Sequence, residues 1–123
     1  SLGLSPEGAS SKLLVEQAGY HKAAELLLTA QKFDSVTAVS ANLVNSIDDD
    51  VYVAATKKAA QLSALPLASL VQSKALMKHN VNEIVAWIDH EAEIFMDRVG
   101  SPEMMEAVSA FMQKRKPDFT QFN

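Results

Sequence analysis

Cysteine is absent from this chain, which rules out a disulfide framework and thiolate metal sites and leaves no argument for secretion. A cytoplasmic compartment is the expectation. Positive charge is in deficit, eleven Lys and Arg against fifteen Asp and Glu for a net charge of −4, so nucleic acid is excluded as the main partner because phosphate binding needs a positive footprint. No apolar run approaches the roughly 20 residues of a membrane span; stretches such as Ala23–Ala24 and Leu26–Leu28 are far shorter. The four glycines form neither a phosphate-cradling loop nor a Gly-x-Ser-x-Gly nucleophile elbow. His21, His79 and His90 are scattered, with Ala18, Leu76 and Trp87 three residues before them, so no metal site is expected and they read as surface or packing residues.

What is present is the make-up of an ordinary folded domain, 48% hydrophobic and 21% charged. Helical punctuation dominates. Ser5-Pro6-Glu7 is a helix-start signature, loosened by Gly8 so that the helix begins nearer Ser10, and Gly19 stops it. Ala23, Leu26, Leu27 and Ala30 predict a second amphipathic helix over 21–30. Asp34 or Ser35 caps a third. Leu43 to Ile47 is a short β-branched run suited to a strand. A helix over 51–65 is halted by Pro66, another runs from Leu67 to Met77, and Asn80 or Asn82 opens a long one carrying Ile84, Val85, Ile88, Ala92, Phe95, Met96 and Val99. Ser101-Pro102-Glu103 opens the last. The expected fold class is mainly α, with one short strand near 43–47.

Five segments, in order, carry a resemblance. They are Leu2-Gly3-Leu4-Ser5-Pro6-Glu7-Gly8-Ala9-Ser10-Ser11 followed by Ala18-Gly19 and Lys22 to Thr29; Ala38 with Leu43-Val44-Asn45; Pro66 with Ser73-Lys74; Glu106-Ala107; and Ala110-Phe111-Met112-Gln113-Lys114-Arg115-Lys116-Pro117-Asp118-Phe119. Together they resemble the crotonase superfamily, the enoyl-CoA hydratases and isomerases, across essentially the whole chain. Ala30 and Asn42 stand where that family has turn glycines. The family's chains run to about twice this length, so the resemblance implies a helical C-terminal half of a crotonase-like fold whose N-terminal half is missing. Residues 1–47 would finish the spiral core, and residues 48–123 would form a helical trimerisation domain. The start at Ser1, with no signal-like segment before it, is likewise read as an excerpt or processed product. The ending Gln121-Phe122-Asn123 is not a Ser-Lys-Leu peroxisomal address.

The same resemblance implies an activity in fatty acid metabolism. Isomerases of the family carry an acid in a setting like Pro6-Glu7-Gly8, so Glu7 is the candidate catalytic base; otherwise Glu7 serves only as a complement to the helix dipole. No cofactor is implied, the CoA thioester being the substrate. Phe111 and Lys114 match positions that hold the adenine and phosphate end of acyl-CoA; the alternatives are packing of Phe111 with Val108 and Met112, and a solvated cation cluster over Lys114 to Lys116. The two backbone N–H groups that stabilise the enolate, and the second glutamate of hydratases, would precede this chain, so the chain alone is expected to be inactive. Partners implied are an acyl-CoA, the missing N-terminal half and identical subunits in a homotrimer or hexamer. A hydratase-type enzyme and a non-catalytic helical assembly module remain as alternatives.

Overall fold

The computed structural model describes residues 2–122; Ser1 and Asn123, on which the two terminal readings partly rest, lie outside the described residues. The helices are α1 (Ser10–Ala18), α2 (Tyr20–Thr29), α3 (Ser35–Ser40), α4 (Val51–Ser63), α5 (Leu67–Met77), α6 (Val81–Arg98) and α7 (Pro102–Met112), and a 3-10 turn covers Thr120–Phe122. Three of them begin as their cap residues dictate. The Asp34 side chain accepts from Thr37 N at 2.8 Å, Asp50 from Val53 N at 3.0 Å and Ser101 from Met104 N at 3.2 Å. Gly19, at φ 78 and ψ 157, serves as both the end of α1 and the start of α2. None of the described helices is long and apolar enough to cross a membrane.

The strand expected near 43–47 does not form, and no strand exists among the described residues. A strand's amide and carbonyl groups need a neighbouring ladder, and no second extended segment is there to supply one. Instead the chain folds back at the end of α3. Asn42 takes a left-handed φ of 56, Leu43 N donates to Ala38 O at 2.9 Å, and Asn42 Nδ2 donates to Gln17 O at 2.9 Å. The β-branched run supplied propensity without a partner. Ala30, the other residue standing in for a turn glycine, is also left-handed at φ 50, a conformation that costs an alanine about 1–2 kcal/mol.

Among the described residues, alanine is the only apolar residue type that is buried. The buried apolar residues are Ala9, Ala23, Ala41, Ala107 and Ala110, and no large side chain among the described residues is fully enclosed. A compact monomer of 13.3 kDa exposes about 6,500 Å², whereas the accessible surface here is 9729 Å². The excess of about 3,000 Å² is larger than the roughly 800 Å² that one partner gives to a standard interface. Much of it is apolar, with Leu67, Val71, Leu76 and Met77 of α5 among the exposed side chains. The helices are therefore well specified locally, but the chain does not close a core by itself.

Candidate functional site

The arm over residues 2–9 carries Glu7 and is held close to α7. Gly3 has φ +69, and a Cβ built on it would lie 2.9 Å from the backbone of Glu103 and Met104. Neither the torsion nor the space admits another residue. Gly3→Ala should therefore lift the arm and lower the stability of the full-length protein by about 1–3 kcal/mol, an overpacking cost, measured as a shift in the urea unfolding midpoint.

After Pro6 the chain turns sharply. Gly8 and Ala9 are consecutive left-handed residues at φ 69 and φ 61, and Ala9 is fully buried. Left-handed alanine is strained, and strain of this kind collects at functional sites. Ser10 N donates to Glu7 O at 3.3 Å, which ties the Glu7 backbone to the first turn of α1. The Glu7 side chain is exposed, and its carboxyl group has no hydrogen-bond or ion-pair partner among the described residues. It borders a groove of about 650 Å³ whose apolar walls are Leu2 and Leu4 of the arm, Leu27 and Leu28 of α2 and Phe95 of α6. Glu7 is the one titratable side chain among the described residues that line it. A lone carboxyl at the edge of an apolar trough can move a proton on a hydrophobic ligand, provided the ligand or another chain excludes water.

The link between α1 and α6 was not visible in the sequence. Ser11 N donates to Glu91 Oε1 at 2.9 Å, Ser11 Oγ hydrogen-bonds to the same oxygen, and Trp87 Nε1 donates to Ser11 Oγ at 2.9 Å. Glu91 is 4% exposed, and its Oε2 is buried without a partner. Lys12 Nζ adds contacts to Glu83 at 2.7 Å and Glu16 at 2.9 Å, and lies 5.8 Å from the centre of the Trp87 ring. One signal could have found the link. Ile84, Ile88, Glu91 and Phe95 recur at three- and four-residue spacing, so Glu91 interrupts the apolar stripe of α6 with an acid.

Phe111 and Lys114 sit at the other end of the molecule's last helix and do not line the groove beside Glu7. Phe111 is 77% exposed, and Val108 and Met112 are exposed with it. Lys114 is exposed, with φ 54, just beyond the end of α7. The neighbouring Arg115 is committed elsewhere: its guanidinium meets the Glu106 carboxylate in a two-pronged contact, Nη2 to Oε2 at 2.8 Å, and Asp118 N donates to Glu106 Oε1 at 2.8 Å. These bonds, the Arg115 one first, hold the Glu106 carboxyl down at about 2 from an ordinary 4.5. The depressed value means that this contribution to folding is complete above the ordinary value and is lost as pH falls through the folded one. The 113–118 turn should stay attached at pH 4, with Glu106 titrating near pH 2 by NMR. Arg115→Gln should move that midpoint up towards 4.5.

Comparison with known proteins gives consistent relatives. The family profile described as Enoyl-CoA hydratase/isomerase matches residues 1–122. The 2,3-dehydroadipyl-CoA hydratase of Escherichia coli is 26% identical over 122 residues, covering 97% of this chain and 48% of that protein. A crystal structure of an enoyl-CoA hydratase/isomerase from Pseudoalteromonas atlantica matches with a TM-score of 0.84 at 40% identity, over 97% of this chain and 49% of that one. A second, described as an enoyl-CoA hydratase/isomerase from Acinetobacter baumannii, matches with a TM-score of 0.81 at 66% identity, over 85% of this chain and 45% of that one. The chain thus spans about half the length of the curated relatives it matches.

Proposed function

The chain belongs to the enoyl-CoA hydratase/isomerase family, and from that premise we propose that it is the C-terminal half of an enoyl-CoA isomerase in which Glu7 shuttles one proton. The observation that carries the reading is the lone, unpartnered carboxyl of Glu7 at the rim of an apolar groove. In the reaction the Glu7 carboxylate removes a proton from C2 of a 3-enoyl thioester. The electron pair spreads over the thioester oxygen and the former double bond as a dienolate. The same carboxyl returns the proton at C4, leaving the double bond at C2–C3. No net proton is gained or lost, which is why one acid/base suffices.

Glu7 is exposed in this chain, so the dry surroundings the chemistry needs come from the acyl chain and from other polypeptide. The surface excess of about 3,000 Å² over a compact monomer supports an N-terminal half and identical subunits, in a trimer or hexamer, as the source. In this reading residues 1–47 finish the spiral core and residues 48–123 form the helical part through which subunits pack. The exposed Phe111 and Lys114 fit the adenine and phosphate end of acyl-CoA, presented at a distance from the acyl groove.

The hydratase name of the Escherichia coli relative favours a second reading, in which water is added to a 2-enoyl-CoA. That chemistry calls for a further carboxyl beside the groove, which in this reading comes from polypeptide ahead of this chain. The full-length protein should convert 3-enoyl-CoA to 2-enoyl-CoA. Hydration of 2-enoyl-CoA with 3-enoyl-CoA left untouched would replace the isomerase reading by the hydratase one.

A further inference from the structure

We infer that Glu91 is a positioning residue for the proton shuttle: reaching from α6, it caps the first turn of α1 and thereby sets where Glu7 stands. The inference rests on the isomerase reading of Glu7. Its basis is an accounting of the amides at the start of α1. A helix leaves its first N–H groups without partners, and a cap side chain usually takes one of them. Here the residue at the cap position is Ala9, which has no side chain able to do so. Ser10 N is taken by Glu7 O at 3.3 Å, and Leu13 N and Lys12 N by Ala9 O at 2.9 and 3.2 Å. Ser11 N goes outside the segment, to Glu91 Oε1 at 2.9 Å.

An acidic group is the right one for that place, because the helix N-terminus carries partial positive charge. The grip is doubled by Trp87, one turn before Glu91 on α6, whose indole N–H holds the Ser11 hydroxyl at 2.9 Å. The path to the candidate base is then short. Glu91 fixes Ser11, the adjacent amide at the start of the same turn, Ser10 N, is bonded to Glu7 O, and the left-handed pair Gly8 and Ala9 lies between. Oε2 is buried with no hydrogen-bond partner among the described residues, and burying an unpaired polar oxygen costs desolvation. A carboxyl retained for packing alone would be better replaced by an apolar residue, as at Ile84, Ile88 and Phe95 on the same stripe.

The test uses the full-length protein with 3-enoyl-CoA and compares Glu91→Asp, Glu91→Gln, Ser11→Ala and Glu7→Gln. Asp shortens the reach by about 1.5 Å, and a displacement near 1 Å at a reacting group can cost about a hundredfold. Glu91→Asp should therefore lower kcat about 10- to 100-fold with KM within about twofold, because the groove walls are untouched. Glu91→Gln keeps an oxygen for Ser11 N and should stay within about threefold of the parent kcat. Ser11→Ala, which removes the hydroxyl with its bonds to Trp87 and Glu91 and leaves the Ser11 N–H on Glu91, should lower kcat about threefold or more at unchanged KM and serves if Glu91→Asp does not fold. The inference is overturned if Glu91→Asp, or in its absence Ser11→Ala, lowers the melting temperature yet keeps the parent kcat while Glu7→Gln is inactive. If Glu7→Gln instead keeps the parent rate, the isomerase reading fails by itself. Amide exchange at Ser11 then decides the cap: faster in Glu91→Asp than in Glu91→Gln supports it, and equal rates overturn it.

Discussion

Glu7→Gln in the full-length protein should lower kcat for 3-enoyl-CoA isomerisation by about a thousandfold or more, with KM changed by no more than a few fold. A positioned acid/base contributes about 10²–10⁴-fold to a proton transfer, and in the proposed shuttle one group serves both transfers, so its loss would strike the step twice. Glutamine matches glutamate in shape and still accepts and donates hydrogen bonds, but it cannot take a proton. The walls of the groove, Leu4, Leu27 and Phe95 among them, are not altered by the change. Binding of the acyl group, and so KM, should survive. Glu7→Asp keeps the acid and withdraws it by about one C–C bond, 1.5 Å, and should fall between the two, since a misplacement of that size costs about a hundredfold.

The second large effect concerns the chain in isolation. Residues 1–123 alone should show helical circular dichroism without a sharp cooperative melt, should bind a hydrophobic dye, and should isomerise 3-enoyl-CoA at least about a thousandfold more slowly than the full-length protein. Ordering each residue costs about 1–2 kcal/mol of backbone entropy. Five buried alanines and no large enclosed side chain cannot offset that over the chain. The caps at Asp34, Asp50 and Ser101 keep the helices locally defined, which is why helicity outlasts tertiary order. A sharp two-state transition from a monomeric chain would show that the exposed faces need no cover.

Elements governed by neighbouring residues were legible in the sequence. Ser10 as the start of α1, Leu67–Met77 bounded by Pro66, and Ser101-Pro102 opening α7 all follow from caps and prolines a few residues away. What depends on distant partners was not. The run Leu43 to Ile47 has strand-forming side chains, yet strand formation is decided by a ladder, and none is present among the described residues. Periodicity found the apolar face of α6 but not that Glu91 on that face turns inward to Ser11, eighty residues earlier. Gly3 entered the sequence reading only as part of the first resembling segment, and the approach of Glu103 and Met104 shows why it has no side chain.

The same division holds for the candidate site. Glu7 was identified through resemblance in the Pro6-Glu7-Gly8 setting, and the structure adds the apolar groove beside it. Its exposure goes with the chain's large uncovered surface, both of which the proposed N-terminal half and neighbouring subunits would cover. Phe111 at the end of α7 is uncovered in the same way, 77% exposed.

In the proposed shuttle a single carboxyl takes a proton from one carbon and returns it to another. Deuterium placed at C2 of a 3-enoyl-CoA and followed by NMR through turnover in ordinary water tests it directly. The claim predicts that part of the product from the parent protein carries the label at C4, and that this transfer is lost with Glu7→Gln. Label arriving at C4 undiminished when position 7 is glutamine would contradict it.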